Sequence, residues 1–593
     1  MVDENTLGRQ SITIVEIDQD FCSRVYGVAP CTAALGTTGG TKCFNTLATC
    51  QDTANFDKSE LTLRFCMASP DFPEPGEFII PSLINVTSNP TEITIGGSDK
   101  DSAPLGRRAS VTITFQDHPY NDKLVDSYRS DRDYDPLERG TFWTKWLARN
   151  PYHQNRPLRI REGYIGQPIA EMRTRNYIIE KVDGADSNGR VTIVAKDILK
   201  LADDKRAQCP LPSTGVLDIS ITNIGTAITL SPTGVGNLEY PASGTAIIGS
   251  ELVTYTRIAD AVTLTARGLR GSTAEAHDAD ETFQQVKTYV NERVDDVVID
   301  LLENFANIDS AYIPSATWAA EATSYLSSFT LNTWITEPTG VSTLLSELIQ
   351  QCIFYIWWDE VNQLIQFRAI KPAIPDETII RDINQNQHII AESVQITRDS
   401  NQRLSQVWIY FDPFDPTESL TKASNYRRLN ISVDQDAETA IQYGESRVKR
   451  IFSRWFDDSN GGAALTTAAR LLLRYRDNPI YVNFSMDAKD RDVLVGDIIQ
   501  FTHRNLVDST GAPRVDILQV VKVHENDPGH RAEYKCQAFG FAVSGFGSRF
   551  AYVMANIAPD YTSATDDEKK FGGWICSNDG SFSSDDGDAY RII

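Results

Sequence analysis

Four cysteines fall within thirty residues near the start of the chain, in FCSRVYGVAPCTAALGTTGGTKCFNTLATC (21–50). The stretch is rich in threonine, glycine and alanine, and a segment of this size cannot build a core of its own. What the thiols bind therefore constrains this part of the fold more than any apolar pattern does. The spacing is C-x8-C-x11-C-x6-C, formed by Cys22, Cys31, Cys43 and Cys50, and a gap of fifteen residues leads to Cys66. Structural zinc sites place their ligands in tight C-x2–4-C knuckles, and ferredoxin runs also use short gaps. Neither pattern matches. Spacing alone gives equal weight to a metal or cluster, to two disulfides and to unbonded thiols. Four thiolates held together repel unless a cation or cluster neutralises them, which is the physical argument for a metal centre.

The other cysteines, Cys209, Cys352, Cys536 and Cys576, are dispersed. An odd total of nine, behind a polar start (MVDENTLGRQ) without the apolar core of an export signal, argues against a disulfide framework. No apolar run is long enough to cross a membrane. The expectation is synthesis and folding in a cytoplasm. At 593 residues the chain exceeds a single core, and several domains are expected. The net charge of -24 argues against tight, sequence-independent binding to nucleic-acid phosphates. Solubility accounts for such a charge, and a conduit wall past which nucleic acid slides would share it.

Hydrophobic periodicity predicts a multidomain, mainly β chain with α+β parts. A cysteine-rich module (1–75) opens with the strand SITIVEI (11–17) and ends in the proline-rich SPDFPEPGEFIIP. A β domain (76–205) follows, with the alternating ASVTITF (109–115) and a hairpin from NYIIEKV (176–182) to GRVTIVAKDIL (189–199). Residues 206–288, rich in Gly, Ser and Thr, read as a small inserted β module. An α+β domain (289–430) carries two amphipathic helices, one through Val294, Val297, Val298, Leu301, Leu302, Phe305 and Ile308, the other from Val341 to Cys352. The latter leads into FYIWWDEVNQLIQFRAI, two strands across DEVN. Trp357 and Trp358 cannot share one strand face, so one is assigned to the core and the other to an interface. Residues 431–560 read as a helix (466–477) followed by a barrel-like β domain, and 561–593 as a polar tail, with a short β segment at each end of FGGWICSNDGSFSSDDGDAYRII (571–593).

Motifs of catalysis fail one by one. In LGTTGGTK, Gly40 is followed by Thr41 where a phosphate loop needs lysine, so these glycines read as spacers. HENDPGH (524–530) has the wrong spacing for a zinc protease and reads as a loop. NDGSFSSDDGD (578–588) lacks the calcium-loop glutamate. Neither a G-x-S-x-G elbow nor a dinucleotide fingerprint is present. No enzyme is expected.

The cysteine spacing, C-x8-C followed later by C-x6-C, resembles the cysteine module of the lambda tail-tip protein L and its relatives in long-tailed (siphovirus-type) bacteriophages. The segments 139–163, 335–372, 451–462 and 487–513 also resemble the tail-tip, or baseplate hub, proteins of that group. The resemblance implies Cys22, Cys31, Cys43 and Cys50 as ligands of a 4Fe–4S cluster, with zinc as the alternative and Cys66 outside the set. It further implies β domains related to tail-tube proteins around a channel, in a homotrimer that closes the distal end of the tail in the virion. The distal tail protein, a tape-measure protein and tip or fibre proteins would be its partners. DNA would pass through the lumen without specific binding during ejection, and contact with a host envelope is a further expectation. The other classes considered are an Fe–S redox enzyme, a hub that also degrades cell wall, and a secreted disulfide-linked adhesin.

Overall fold

The computed structural model describes residues 5, 6, 8–68, 78–95, 104–371, 379–527, 529–538, 565, 574–575 and 590–591. Most of the proline-rich stretch after Cys66, Cys576 and the acidic turn at 578–588 lie outside them. The chain is mainly β, with 40% strand and 20% helix in several sheets. It divides into two compact units, residues 1–501 with 517–540, and residues 502–516 with 541–593. Among the described residues no helix is long and apolar enough to cross a membrane.

Seven antiparallel strands form the first sheet: β1 (Ser11–Cys22), β2 (Lys58–Cys66), β3 (Leu83–Asn89), β4 (Ser110–Gln116), β5 (Pro157–Tyr164), β6 (Arg173–Asp183) and β7 (Arg190–Lys196). Their spatial order is β2-β1-β5-β6-β7-β4-β3. The sheet thus runs across the division expected at residue 75, because β1 and β2 are hydrogen-bonded into it. Alternation decides the faces. Val15 and Ile17 of β1 are buried with Val111, Ile113 and Phe115 of β4 and with Phe142, Trp143 and Trp146 of helix α1 (Phe142–Arg149). The aromatic stretch TFWTKW is therefore core. Glu16 and Asp18 occupy the opposite face of β1 and meet Arg64 of β2 and Arg159 and Arg161 of β5 at 2.5–2.9 Å. Burial opposes ionisation of Glu16, and the three arginines outweigh it, so its carboxyl titrates below the ordinary range.

A two-residue strand, β8 (Gln208–Cys209), precedes the inserted module. The module contains β9 (Val216–Leu217), β10 (Ala227–Ser231), the short helix α2 (Val235–Glu239), β11 (Ser243–Ile248), β12 (Glu251–Ile258), β13 (Ala261–Ala266) and β14 (Phe283–Arg293). It has its own core around Tyr240, Tyr255 and Phe283. Its sheet also takes β15 (Thr330–Ile335) beside β14, so it reaches past residue 288.

The next helices are α3 (Val294–Asp300), prolonged by a π turn through Phe305, α4 (Ser315–Tyr325) and α5 (Val341–Cys352). Helices α3 and α5 are the two predicted ones and bury their predicted faces, and α4 is a third that the periodicity did not mark. Strand β16 (Thr339–Gly340) pairs with β8, and β17 (Phe354–Asp359) pairs with β18 (Leu364–Ala369). Trp357 and Trp358 do point to opposite faces, yet both are buried, because this hairpin is covered on each side. Trp358 donates to the Asn176 carbonyl at 2.9 Å, and Trp357 stacks on Tyr355. Neither is an interface anchor at the surface of the chain. Strands β19 (Ile379–Asn384) and β20 (Gln395–Arg398) lead to β21 (Gln406–Pro413), β22 (Tyr426–Val433), the short helix α6 (Gln435–Glu438), β23 (Val448–Phe452) and α7 (Gly461–Tyr475). One apolar core joins α3, α5, β17, β21 and α7, so the packing is continuous across residue 430.

The last sheet contains β24 (Ile480–Asp487), β25 (Ile498–Val507), β26 (Pro513–Asp527) and β27 (Arg531–Ala538). Its order, β19-β25-β26-β27-β24-β20, is open, where a barrel was expected. The strands β19 and β20 complete its edges instead of closing it. His524 and Glu525 lie on β26, so the segment expected to be a loop begins as strand. In the second unit, β28 (Trp574–Ile575) pairs with β29 (Tyr590–Arg591), near the two ends of FGGWICSNDGSFSSDDGDAYRII (571–593).

A buried ion cluster joins three parts of the first unit. The Arg175 guanidinium meets Glu162 of β5 at 3.1 Å, Glu360 of the β17–β18 turn at 2.8 Å and Glu525 of β26 at 2.8 Å. Arg173 adds a 2.9 Å contact to Glu525, and Tyr177 donates to Glu360 at 2.8 Å. Burial pushes the Glu162 carboxyl up to about 7 from its ordinary 4.5. Burial opposes ionisation of Glu525 as well, but Arg175 and Arg173 outweigh it and bring it to about 2. Glu162 binds its proton more tightly folded than unfolded. Its contribution to stability is therefore complete below pH 4.5 and is lost as pH rises toward 7. Glu162→Gln is expected to flatten this fall. Thermal unfolding of both proteins between pH 4.5 and 7.5 checks it, and parallel profiles would refute the assignment.

Candidate functional site

The cysteine stretch is the connection of a hairpin. β1 ends at Cys22, which pairs with Lys58 at the start of β2, and residues 23–57 form the excursion between them. This closure brings residues far apart in sequence to one place. Cys22, Cys31, Cys43 and Cys50 line a single small cavity of about 20 Å³. All eight described cysteines carry free thiols.

Cys22 ends β1, the other three cysteines lie in the loop, and the segments that carry them are stapled together by polar side chains. Asn45, in the left-handed conformation at φ 56, accepts the Cys22 N–H through its carbonyl at 2.7 Å. Its side-chain amide returns a hydrogen bond to the Cys22 carbonyl at 3.1 Å. Asp52 accepts from the Thr32 N–H at 2.7 Å and the Thr32 hydroxyl at 2.8 Å, which joins the Cys31 turn to the Cys50 turn. Those bonds hold the Asp52 carboxyl below the ordinary carboxylate range. Gln51 crosses the glycine segment, donating to the Thr41 carbonyl at 2.7 Å and accepting from Thr38 and Tyr26. A Cβ at Gly39 would lie within 2.4 Å of the Gln51 amide, so this spacer glycine makes room for that side chain.

Burial and the neighbouring sulfurs disfavour the thiolate form of two of the four cysteines. Burial pushes the Cys43 thiol up, and the Cys50, Cys31 and Cys22 sulfurs add to the shift. The Asn45 backbone N–H opposes it. Cys50 is raised in the same way, by burial first and then by Cys22 and Cys31, against a hydrogen bond from the Asp52 N–H to its sulfur at 3.4 Å. Two sulfurs thus already accept backbone donors, as cluster-bound thiolates do. Among the described residues no group of three or more His, Cys, Asp or Glu side chains is placed to hold a single metal ion.

Cys66 belongs elsewhere. It pairs with Ile14, eight residues along β1 from Cys22, which is about 26 Å at strand rise. Its thiol is raised by burial alone. Cys209, Cys352 and Cys536 are core residues, and burial likewise raises the thiol of each, that of Cys209 to about 12.

The loop is held to the first sheet by a stack that the spacing did not reveal. The Phe44 ring lies between the guanidiniums of Arg132 and Arg149, each 4.0 Å from its centroid. Arg132 also donates to the carbonyls of Lys42 at 2.6 Å and Cys43 at 3.0 Å. Asp126 fixes Arg132 at 2.8 Å, and Asp122 fixes Arg149 at 2.8 Å; both carboxylates are buried. Tyr128 accepts the Tyr26 N–H at 2.7 Å, and Lys42 pairs with Asp131 at 2.7 Å. The aromatic directly after Cys43 was the one sequence signal for this docking.

No protein-family model matches the sequence, and no curated protein matches it. Several solved structures show a distant likeness. A tail protein from Neisseria meningitidis MC58 is 10% identical with a TM-score of 0.34, covering 72% of this chain and 88% of that one. Prophage tail protein gp18 from Listeria monocytogenes EGD-e is 10% identical with a TM-score of 0.32, covering 81% and 91%. A chain of the Francisella PdpA-VgrG complex is 9% identical with a TM-score of 0.34, covering 91% and 55%.

Arg132→Ala is expected to release the cysteine loop. It removes two carbonyl contacts and leaves Asp126 buried without its partner, a change that costs about 3–5 kcal/mol. Limited proteolysis read by mass spectrometry should show faster cleavage within residues 23–57. Cleavage at the wild-type rate would mean that the stack does not hold the loop.

Proposed function

We propose that the chain is a structural protein of a phage tail tip, a baseplate hub whose N-terminal loop carries a 4Fe–4S cluster on Cys22, Cys31, Cys43 and Cys50. The observation that carries this reading is the convergence of those four free thiols on one cavity. They are the residues that the family resemblance nominates, and Cys66 is excluded by its place on β2. The donor set is all sulfur, and two of its members accept backbone N–H groups. A single zinc ion would draw four sulfurs to about 2.3 Å from one position. When bound, the cluster supplies a cross-link among the four cysteines and offsets the mutual repulsion of their thiolates.

The protein's own residues set what that cross-link does. Asn45, Gln51 and Asp52 hold the turns in register, and Phe44 transmits the loop's position to the first sheet through Arg132 and Arg149. The role is therefore structural, stiffening a segment that has no apolar core. In this reading the hub is a homotrimer at the distal end of the tail tube, between the distal tail protein and the tip or fibre proteins. It opens for DNA ejection, and the net charge of -24 keeps DNA from adhering to it.

Purification without oxygen, followed by a visible spectrum and iron and sulfide assays, tests the metal assignment. About four irons per chain are expected, one for each thiolate of such a cluster. Serine at Cys22, Cys31, Cys43 or Cys50 should abolish the colour, and Cys66→Ser and Cys209→Ser should leave it intact. A colourless protein with one zinc per chain would overturn the cluster.

A further inference from the structure

The segment that grips the cysteine loop has little burial of its own. From Ser127 to Gly140, between β4 and β5, the chain contains no strand, and every residue is half-buried or exposed. Two single 3-10 turns, Arg129–Asp131 and Pro136–Glu138, are its regular structure. It is held from the cysteine loop. Tyr128 accepts the Tyr26 N–H at 2.7 Å, and the two rings meet edge-on at 6.1 Å. The Lys42 ammonium lies over the Tyr128 ring at 5.0 Å and pairs with Asp131 at 2.7 Å. Arg132 donates to the carbonyls of Lys42 and Cys43 and stacks on Phe44. From outside that loop, Asp126 fixes Arg132 at 2.8 Å, and Lys145 of α1 donates to the Pro136 carbonyl at 3.0 Å.

Such contacts act in both directions. A segment that steadies the cysteine loop is steadied by it, because a coupling free energy is reciprocal. Arg132 holds the chain at the Cys43 carbonyl and the Phe44 ring, which belong to Cys43 and the residue after it. Cys22, by contrast, closes β1 and is paired into the first sheet. A ligand shared by the Cys22 and Cys43 sulfurs would therefore tie the points that Arg132 holds to that sheet. Whatever binds the closed arrangement and not the open one stabilises the closed one.

We propose that the four thiols control the order of residues 127–140: ligation of the cysteines makes opening of this segment rarer, and loss of the ligand makes it more frequent, while the first sheet stays folded. The inference rests on the cluster-holding part of the reading above and names the surface that such a centre governs. Segments with few buried apolar contacts open at the lowest cost, so this one responds before the sheet does. It exposes Asp131, Asp133, Asp135 and Glu138. A change at the sulfurs thus becomes a change in the order of an acidic surface, with Arg132 and Phe44 as the link.

Hydrogen–deuterium exchange of the full chain, read by mass spectrometry, tests it. The amides of Asp131, Arg132 and Glu138 are bonded to the carbonyls of Tyr128, Arg129 and Asp135, so they report the order of the segment. Protein purified without oxygen is compared with the same protein after a chelator has removed its iron, and with Cys31→Ser. Both should exchange about tenfold faster over 127–140, within the usual range of such couplings. Exchange over 243–266, in the inserted module, should not change. Phe44→Ala keeps all four cysteines and breaks the stack, so its exchange over 127–140 should be fast whatever its iron content. Iron-loaded protein whose exchange over 127–140 is indifferent to iron removal overturns this inference and leaves the cluster standing. So does a Phe44→Ala protein that keeps the wild-type response. Faster exchange over 243–266 as well would mean general unfolding and overturns it too. A wild type that never holds iron overturns both the cluster and this inference.

Discussion

The Arg175 guanidinium is the constraint on which the first unit depends. It faces three carboxylates from three separate stretches of chain, Glu162, Glu360 and Glu525. None of these groups could be buried alone, since an unpaired buried charge costs several kcal/mol. Each carboxylate therefore requires the others' scaffold in place. The contact of the first sheet with the β17–β18 turn is completed by Asn176, whose backbone and side-chain N–H groups both donate to the Glu360 carbonyl. The apolar cores supply most of the burial energy, but apolar packing alone tolerates shifted arrangements. The ion cluster selects one of them.

The same logic recurs at smaller scale around the cysteines. Residues 23–57 lack a core, and they are positioned by what grips them from outside. Asp122 and Asp126 are buried and fix Arg149 and Arg132, and these clamp Phe44. The cavity lined by the four thiols is thus set both by the loop's own Asn45, Gln51 and Asp52 and by Arg132 and Arg149 of the β4–β5 connection. This is why the cysteine stretch is not an independent module, although its composition sets it apart from its surroundings. A 4Fe–4S cluster there would add a cross-link to a loop that the sheet already holds at its base and at Phe44.

Much of the local structure was legible in particular residues. The 3-4-7-8 spacing from Val294 and from Val341 marked two helices, and both bury that stripe. Strict alternation marked β4, and the turn DEVN marked the β17–β18 hairpin. The misreadings share a cause. One of Trp357 and Trp358 was assigned to an interface because alternation places them on opposite faces, but alternation cannot tell that both faces are covered. The closed barrel failed because strand count does not say whether the ends meet. His524 and Glu525 look like loop beside Pro528 and Gly529, yet β26 extends through them while Glu525 meets Arg173 and Arg175.

The sequence by itself determined that Cys22, Cys31, Cys43 and Cys50 cluster, with gaps of eight, eleven and six residues. It could not decide among a cluster, disulfides and free thiols, because spacing limits which residues can meet without showing whether they do. Tertiary structure decided that Cys22, Cys31, Cys43 and Cys50 surround one cavity, and that Cys66 lies about 26 Å away along a strand. The physical reason is the pairing of β1 with β2. An antiparallel pair brings Cys22 to the closed end of its loop and carries Cys66 to the far end, and that register depends on strands more than a hundred residues downstream.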